Sequence, residues 1–95
     1  MLKDQPKTVP VGSPEAIGRR LKATRDALGL KAVEFCRQAG IPQNTYSQYE
    51  NGKGRPSLDF ALKICKTFNV TLDWIYLGNS AAVPHALATA IQNKL

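Results

Sequence analysis

Glycines and a proline-containing turn cut this chain into pieces too short for a long helix. Gly29, Gly40, the pair Gly52 and Gly54, and Gly78 all fall at the ends of apolar helical patterns. Glycine takes the left-handed conformation that closes a helix at no steric cost. Between these stops apolar residues recur at spacings of three and four, and the alternation of a half-buried strand is missing. The expected fold class is therefore all-α, a compact bundle of about five short helices. Ninety-five residues allow one domain with a modest core.

The boundaries follow from local chemistry. Residues 1–12 contain Pro6, Pro10 and Gly12 without apolar periodicity and read as a flexible arm, basic at Lys3 and Lys7 but also carrying Asp4. Ser13 suits an N-cap and Pro14 a first helical position, so a first helix is expected over 14–28, with Ile17, Leu21, Thr24 and Leu28 on one side. A second covers 31–39, with Val33, Phe35, Cys36 and Ala39 inward. A third covers 42–49, opened by Pro42. The run "ENGKGRPS" is a loop, after which Ser57 caps a fourth helix with Leu58, Ala61, Leu62, Cys65 and Phe68 as its stripe and Asn69 as its stop. Thr71 caps a fifth, "LDWIYLG". In the tail, 79–95, the spacing of Leu87, Ile91 and Leu95 leaves room for one more short helix after Pro84.

Charge narrows the partners. The net charge is +6, and residues 17–56 hold eight Lys and Arg against three Asp and Glu. Such a balance favours polyanions. No apolar run reaches the roughly 18 residues of a membrane span. The N-terminus lacks an apolar signal core, so the expected compartment is the cytoplasm. Cys36 and Cys65 lack metal-ligand spacing and read as buried free thiols, with a disulfide as the alternative. One histidine, no paired carboxylates and no phosphate-binding glycine motif argue against an enzyme, and neither a catalytic residue, a metal nor a cofactor is expected.

The second and third helices, joined by "AGIP", form a helix-turn-helix pattern spanning a domain of residues 13–78. A major groove about 12 Å wide admits one α-helix. On the third helix Tyr46 and Tyr49 fall together as core anchors. Gln43 with Ser47, and Asn44 with Gln48, form a stripe away from them. Side-chain amides offer a donor and an acceptor together and suit the N6 and N7 edge of adenine, whereas a lysine-rich helix would bind phosphate without reading bases. A merely solvated polar face is the plain alternative. Thr45, Asn51, Lys53 and Arg55, on and after this helix, are the expected phosphate contacts.

Residues 15–78 resemble the lambda-repressor-like, or XRE-type, helix-turn-helix domains. The likeness is carried by the joint spacing of Ile17, Arg25, Leu30, Phe35, Gly40, Tyr46, Tyr49, Glu50, Gly52, Pro56, Leu62 and Leu77–Gly78. It implies that Gln43 and Asn44 occupy the main base-reading positions, with Ser47 and Gln48 one turn later. It also implies that Arg25 pairs with Glu50, a structural tie between the first and third helices. Two departures stand out. Lys31–Ala32 replaces the usual Thr-Gln, leaving Lys31 as a simpler phosphate contact, and Pro42 replaces a capping Ser or Thr.

The function expected is a sequence-specific transcriptional regulator on double-stranded DNA, a bacterial or phage-encoded homodimeric repressor or autoregulator associated with the nucleoid and reading a palindromic operator. One helix reads only a few base pairs, and two-fold dimers place two such helices about 34 Å apart. Trp74, Ile75, Leu77, Leu87 and Ile91 are the expected dimer contacts, with ordinary core packing the alternative for Trp74. The competing reading is a protein-interaction adaptor whose helix-turn-helix does not read DNA.

Overall fold

The computed structural model describes residues 9–95. Lys3, Asp4 and Lys7 of the expected arm lie outside them. In chain order the elements are α1 (Pro14–Ala27), α2 (Ala32–Ala39), α3 (Gln43–Glu50), α4 (Leu58–Phe68), a π-helix (Asp73–Leu77) and α5 (His85–Gln92). Among the described residues there is no strand, and no helix is long and apolar enough to cross a membrane.

The caps act as their side chains dictate. Ser13 Oγ accepts the Ala16 N–H at 3.1 Å and Ser57 Oγ accepts that of Phe60 at 3.3 Å, each satisfying a peptide donor that a helix start leaves open. Gly40 closes α2 at φ 69°, and Asn69 closes α4 at φ 61°.

α1 lies at the centre, packed against α3, the π-helix and α5, while α2 bridges α3 and α4. An aromatic seam joins these layers. Phe35 of α2 stacks on Phe68 of α4 with ring centroids 4.3 Å apart and meets Tyr46 of α3 at 5.0 Å. Tyr49 sets its edge against Phe60 at 4.9 Å. Phe35 is fully buried, so its removal from water alone is worth about 3 kcal/mol.

Several expectations are corrected. Val33 is 53% exposed, because at about 100° per residue it falls off the arc shared by Phe35, Cys36 and Ala39. α4 turns in a different stripe. Phe60, Ala61, Ile64 and Phe68 are buried, while Leu58 and Leu62 are exposed and Cys65 is half-buried. The larger rings on the neighbouring arc win the core. Pro42 stands before α3 rather than within it, its φ of −67° suiting a helix but its ψ of 132° extended. The segment "DWIYL" winds as a π-helix, with the Asn79 N–H reaching back to the Asp73 carbonyl at 3.1 Å. As expected, both cysteines are free thiols, and burial raises the pKa of each. Val9–Gly12 do not hang loose as arm. The Ser13 N–H donates to the Pro10 carbonyl at 3.0 Å, and the Val11 and Gly12 carbonyls accept bonds from Arg20 and Arg55.

The expected dimer contacts are mostly core. Trp74, Ile75 and Ile91 are 4%, 1% and 2% exposed. The Trp74 indole N–H donates to Thr24 Oγ1 at 2.9 Å, and that hydroxyl donates to the Arg20 carbonyl at 2.7 Å. The apolar face of α5 is covered by its own chain, through Ile91. Only Leu77, exposed, and Leu87, half-buried, retain surface for a partner.

Gly18 sets the approach of α1 to α3. A Cβ built there would lie 2.6 Å from the Glu50 carbonyl oxygen and 2.7 Å from that of Tyr49. Both atoms belong to backbone and cannot swing aside. Gly18→Ala is expected to lose about 2 kcal/mol despite the better helix propensity of alanine. Urea unfolding measures this, and an unchanged or raised midpoint would show that α3 yields without strain.

Candidate nucleic-acid interface

The turn between α2 and α3 fixes how α3 is presented. Left-handed Gly40 reverses the chain, and the Ile41 N–H donates to the Cys36 carbonyl at 3.0 Å. Ile41 then enters the core at 7% exposure. α3 begins immediately after Pro42, with no side-chain cap. The first peptide N–H groups of a helix have no carbonyl to bond within it. At α3 they therefore form an electropositive end beside Gln43 and Asn44.

The faces of α3 separate cleanly. Tyr46 is fully buried, Thr45 and Tyr49 are half-buried, and Gln43, Asn44, Ser47 and Gln48 are exposed. Among the described residues the amides of Gln43, Asn44 and Gln48 enter no side-chain hydrogen bond, and Ser47 Oγ meets Asn51 Nδ2 only at 3.5 Å. The stripe is open along its length, with hydrogen-bonding capacity unspent on the protein.

Its aim is set from behind. Arg25, in the last turn of α1, grips Glu50, the last residue of α3, with both arms. Nε donates to Oε1 at 3.0 Å and Nη2 to Oε2 at 2.8 Å. Arg25 Nη1 donates to the Leu30 carbonyl at 3.0 Å. The two side chains are 13% and 15% exposed. Burial pushes the Glu50 carboxyl up, but the Arg25 hydrogen bonds, the nearby Tyr46 hydroxyl and the Arg25 charge more than reverse this and leave it below the usual glutamate range. The hydrogen bond to Glu50 outweighs burial and raises Arg25. Burial, and then hydrogen bonding with Glu50 followed by its charge, raises the Tyr46 phenol. The pair is thus ionised near neutral pH.

The flanking charges are fewer than composition suggests. Arg20 and Arg25 turn inward. Lys22 pairs with Asp26 at 3.1 Å, and Arg37 with Glu34. Of the cations between 17 and 56, Arg19, Lys31, Lys53 and Arg55 are exposed and enter no ion pair among the described residues. Lys31 precedes α2 as its N-cap. Asn51 caps the end of α3, and the Lys53 N–H donates to the Gln48 carbonyl at 2.9 Å, which curls the loop against the helix. Arg55 has one donor committed, Nε to the Gly12 carbonyl at 2.7 Å.

A helix-turn-helix family model matches residues 21–75. The chain belongs to the lambda-repressor-like helix-turn-helix family. That family is one of DNA-binding regulators rather than enzymes. The chain is 40% identical over 55 residues to antitoxin PezA of Streptococcus pneumoniae, covering 58% of this chain and 35% of that protein. It is 32% identical over 60 residues to the HTH-type transcriptional regulator ImmR of Bacillus subtilis, covering 63% and 47%. An uncharacterised HTH-type transcriptional regulator of Archaeoglobus fulgidus is 31% identical over 58 residues, 61% of this chain and 82% of that one. The match thus spans about a third of the first relative and about half of the second. No solved structure matches.

The roles of four residues that hold this site together went unread in the sequence. Gly18 carries a legible signal, a glycine inside an otherwise helical pattern. Thr24 is apparent only as part of a stripe. Arg20 and Tyr76 bond backbone carbonyls, and carbonyl acceptors leave no trace in residue type.

Proposed function

We propose that this helix-turn-helix protein is a sequence-specific transcriptional regulator that binds a palindromic operator as a homodimer and acts as a repressor or autoregulator in the bacterial or phage-infected cytoplasm. The observation that carries the reading is the row Gln43, Asn44, Ser47 and Gln48, exposed on one side of α3 while Tyr46 anchors the other. Paired amide donors and acceptors are spent on base edges in the major groove. The start of α3 lacks a side-chain cap, lies at Gln43 and suits a phosphate oxygen. Lys31, Thr45, Asn51, Lys53 and Arg55 supply backbone contacts that set register. Leu77 and Leu87 are the remaining dimer contacts from the original set.

Selection of bound duplexes from random DNA tests this directly. The expected product is an inverted repeat with half-site centres about one helical turn apart. Recovery of an asymmetric site removes the dimer. No mobility shift at low salt on any duplex removes DNA reading and returns the adaptor.

Lys53→Ala separates phosphate contact from base contact. It is expected to weaken operator and random DNA alike and to reduce the slope of log K against log salt by about 0.9, one phosphate's worth. An unchanged slope takes Lys53 off the phosphate surface. Lys53 is the cleaner choice because Arg55 also bonds the Gly12 carbonyl.

A further inference from the structure

Arg20 is 8% exposed and faces no carboxylate among the described residues. Burial, and then the neighbouring Arg19, lower its pKa, yet an arginine stays charged throughout the physiological range. Its charge is spread over backbone carbonyls. Nε donates to Ile75 at 3.0 Å, and Nη2 to Tyr76 at 3.2 Å and to Val11. The first two belong to the end of the π-helix, where carbonyls lack partners and the dipole is negative. Gly78 keeps room for the guanidinium, since a Cβ there, at φ 75°, would sit 3.0 Å from Arg20 Nη1.

Two tethers leave this junction and meet again. On one side, the residue after Val11 is Gly12, whose carbonyl accepts from Arg55 Nε at 2.7 Å. On the other, the Tyr76 hydroxyl donates to the Pro56 carbonyl at 2.7 Å. Both end on consecutive residues of the loop between α3 and α4. That loop turns through Gly52 at φ 78° and Gly54 at φ 153°, and its first amides are held on α3, Gly52 N–H on the Tyr49 carbonyl at 3.1 Å and Lys53 N–H on that of Gln48 at 2.9 Å.

We infer that Arg20 is a positioning residue for the Gly52–Ser57 loop, holding it from two sides through Val11–Gly12 and through Tyr76. The loop's placement rests on the geometry alone. Its consequence for DNA rests on the reading of Lys53 and Arg55 as phosphate contacts. Arg20 then acts at a distance, keeping both cations where a duplex backbone passes.

The full chain is compared as wild type, Tyr76→Phe, Arg20→Lys and Arg20→Met. Amide hydrogen exchange is read without DNA, and the salt slope of binding to a random duplex is read with it. Tyr76→Phe removes one tether and little else. It is expected to speed exchange at Gly52 and Lys53 by about tenfold while amides in α1 and α2 keep their rates. Arg20→Met releases both tethers and exceeds it. Arg20→Lys falls between, because one ammonium cannot span three carbonyls. The salt slope is expected to fall by about one to two units in Arg20→Met. Equal acceleration at every core amide would mean that Arg20 supports the fold at large and would overturn the inference. Loop exchange unchanged in Tyr76→Phe would overturn it even where Arg20→Met fails to fold. If wild type binds no duplex, the DNA reading falls, and the exchange pattern still decides the positioning role.

Discussion

Glu50→Ala is expected to destabilise the protein by about 3 kcal/mol, toward the low end for a buried pair that loses one member. The remaining Arg25, 13% exposed in the pair, would keep its charge with the Leu30 carbonyl as its one hydrogen-bond acceptor and the half-exposed Asp26 carboxylate 3.9 Å away. The charge left behind, rather than the bond removed, makes up most of the cost. Replacing both members with methionine is therefore expected to recover much of the stability, and the coupling appears as non-additivity in a double-mutant cycle. A double variant as unstable as the sum of the singles would show that the two residues act separately.

The same pair gives a pH dependence with a definite sign. The Glu50 pKa is lower folded than unfolded. Its stabilisation is thus complete above the unfolded value of about 4.3 and is lost as pH falls through the folded value. The stability difference between wild type and Glu50→Gln should be constant from pH 7 to about 5 and shrink below that. A difference that stays level down to pH 3 would remove the ionised pair. Because Arg25 and Glu50 join the ends of α1 and α3, the loss should also reduce affinity for operator and random DNA together, through the angle of α3.

These contacts were unevenly legible in the sequence. Element ends could be read because they are local. Ser13, Gly40, Ser57, Asn69 and Gly78 act through their own backbone or their nearest turn. The inward arc of α4 could not, because two apolar arcs lie side by side on it. Phe35 and Tyr49, from other helices, decide between them. The π-winding of Asp73–Leu77 was hidden for a similar reason, since five residues are too few to define a period. Trp74, Ile75 and Ile91 are apolar enough for either a core or an interface, and only the packing of the π-helix and α5 on α1 assigns them to the core. Adjacent Arg19 and Arg20 look identical in sequence, yet one is solvated and the other buried on carbonyls. The stripe on α3 was readable because exposure there follows from helical geometry once Tyr46 is taken as the anchor.

That stripe carries the other large effect. Replacing both Gln43 and Asn44 with alanine removes two amides at the open end of α3. Each bidentate base contact distinguishes right from wrong bases by about 1–3 kcal/mol, so losing both should reduce operator preference by at least about thirtyfold and by as much as about ten-thousandfold. Folding should change little, since both side chains are exposed and neither caps the helix. Affinity for random DNA should hold nearly constant, because phosphate contacts supply that term and Lys31, Lys53 and Arg55 are untouched. Titrations of operator and random duplex at one salt concentration give the ratio directly. Parallel losses on both duplexes would place Gln43 and Asn44 on the phosphate backbone, and no loss on either would leave them as solvated surface. Single variants then assign base positions. A residue that reads one base pair should lose discrimination there and nowhere else, whereas a residue that only orients its neighbour should relax the neighbour's position too.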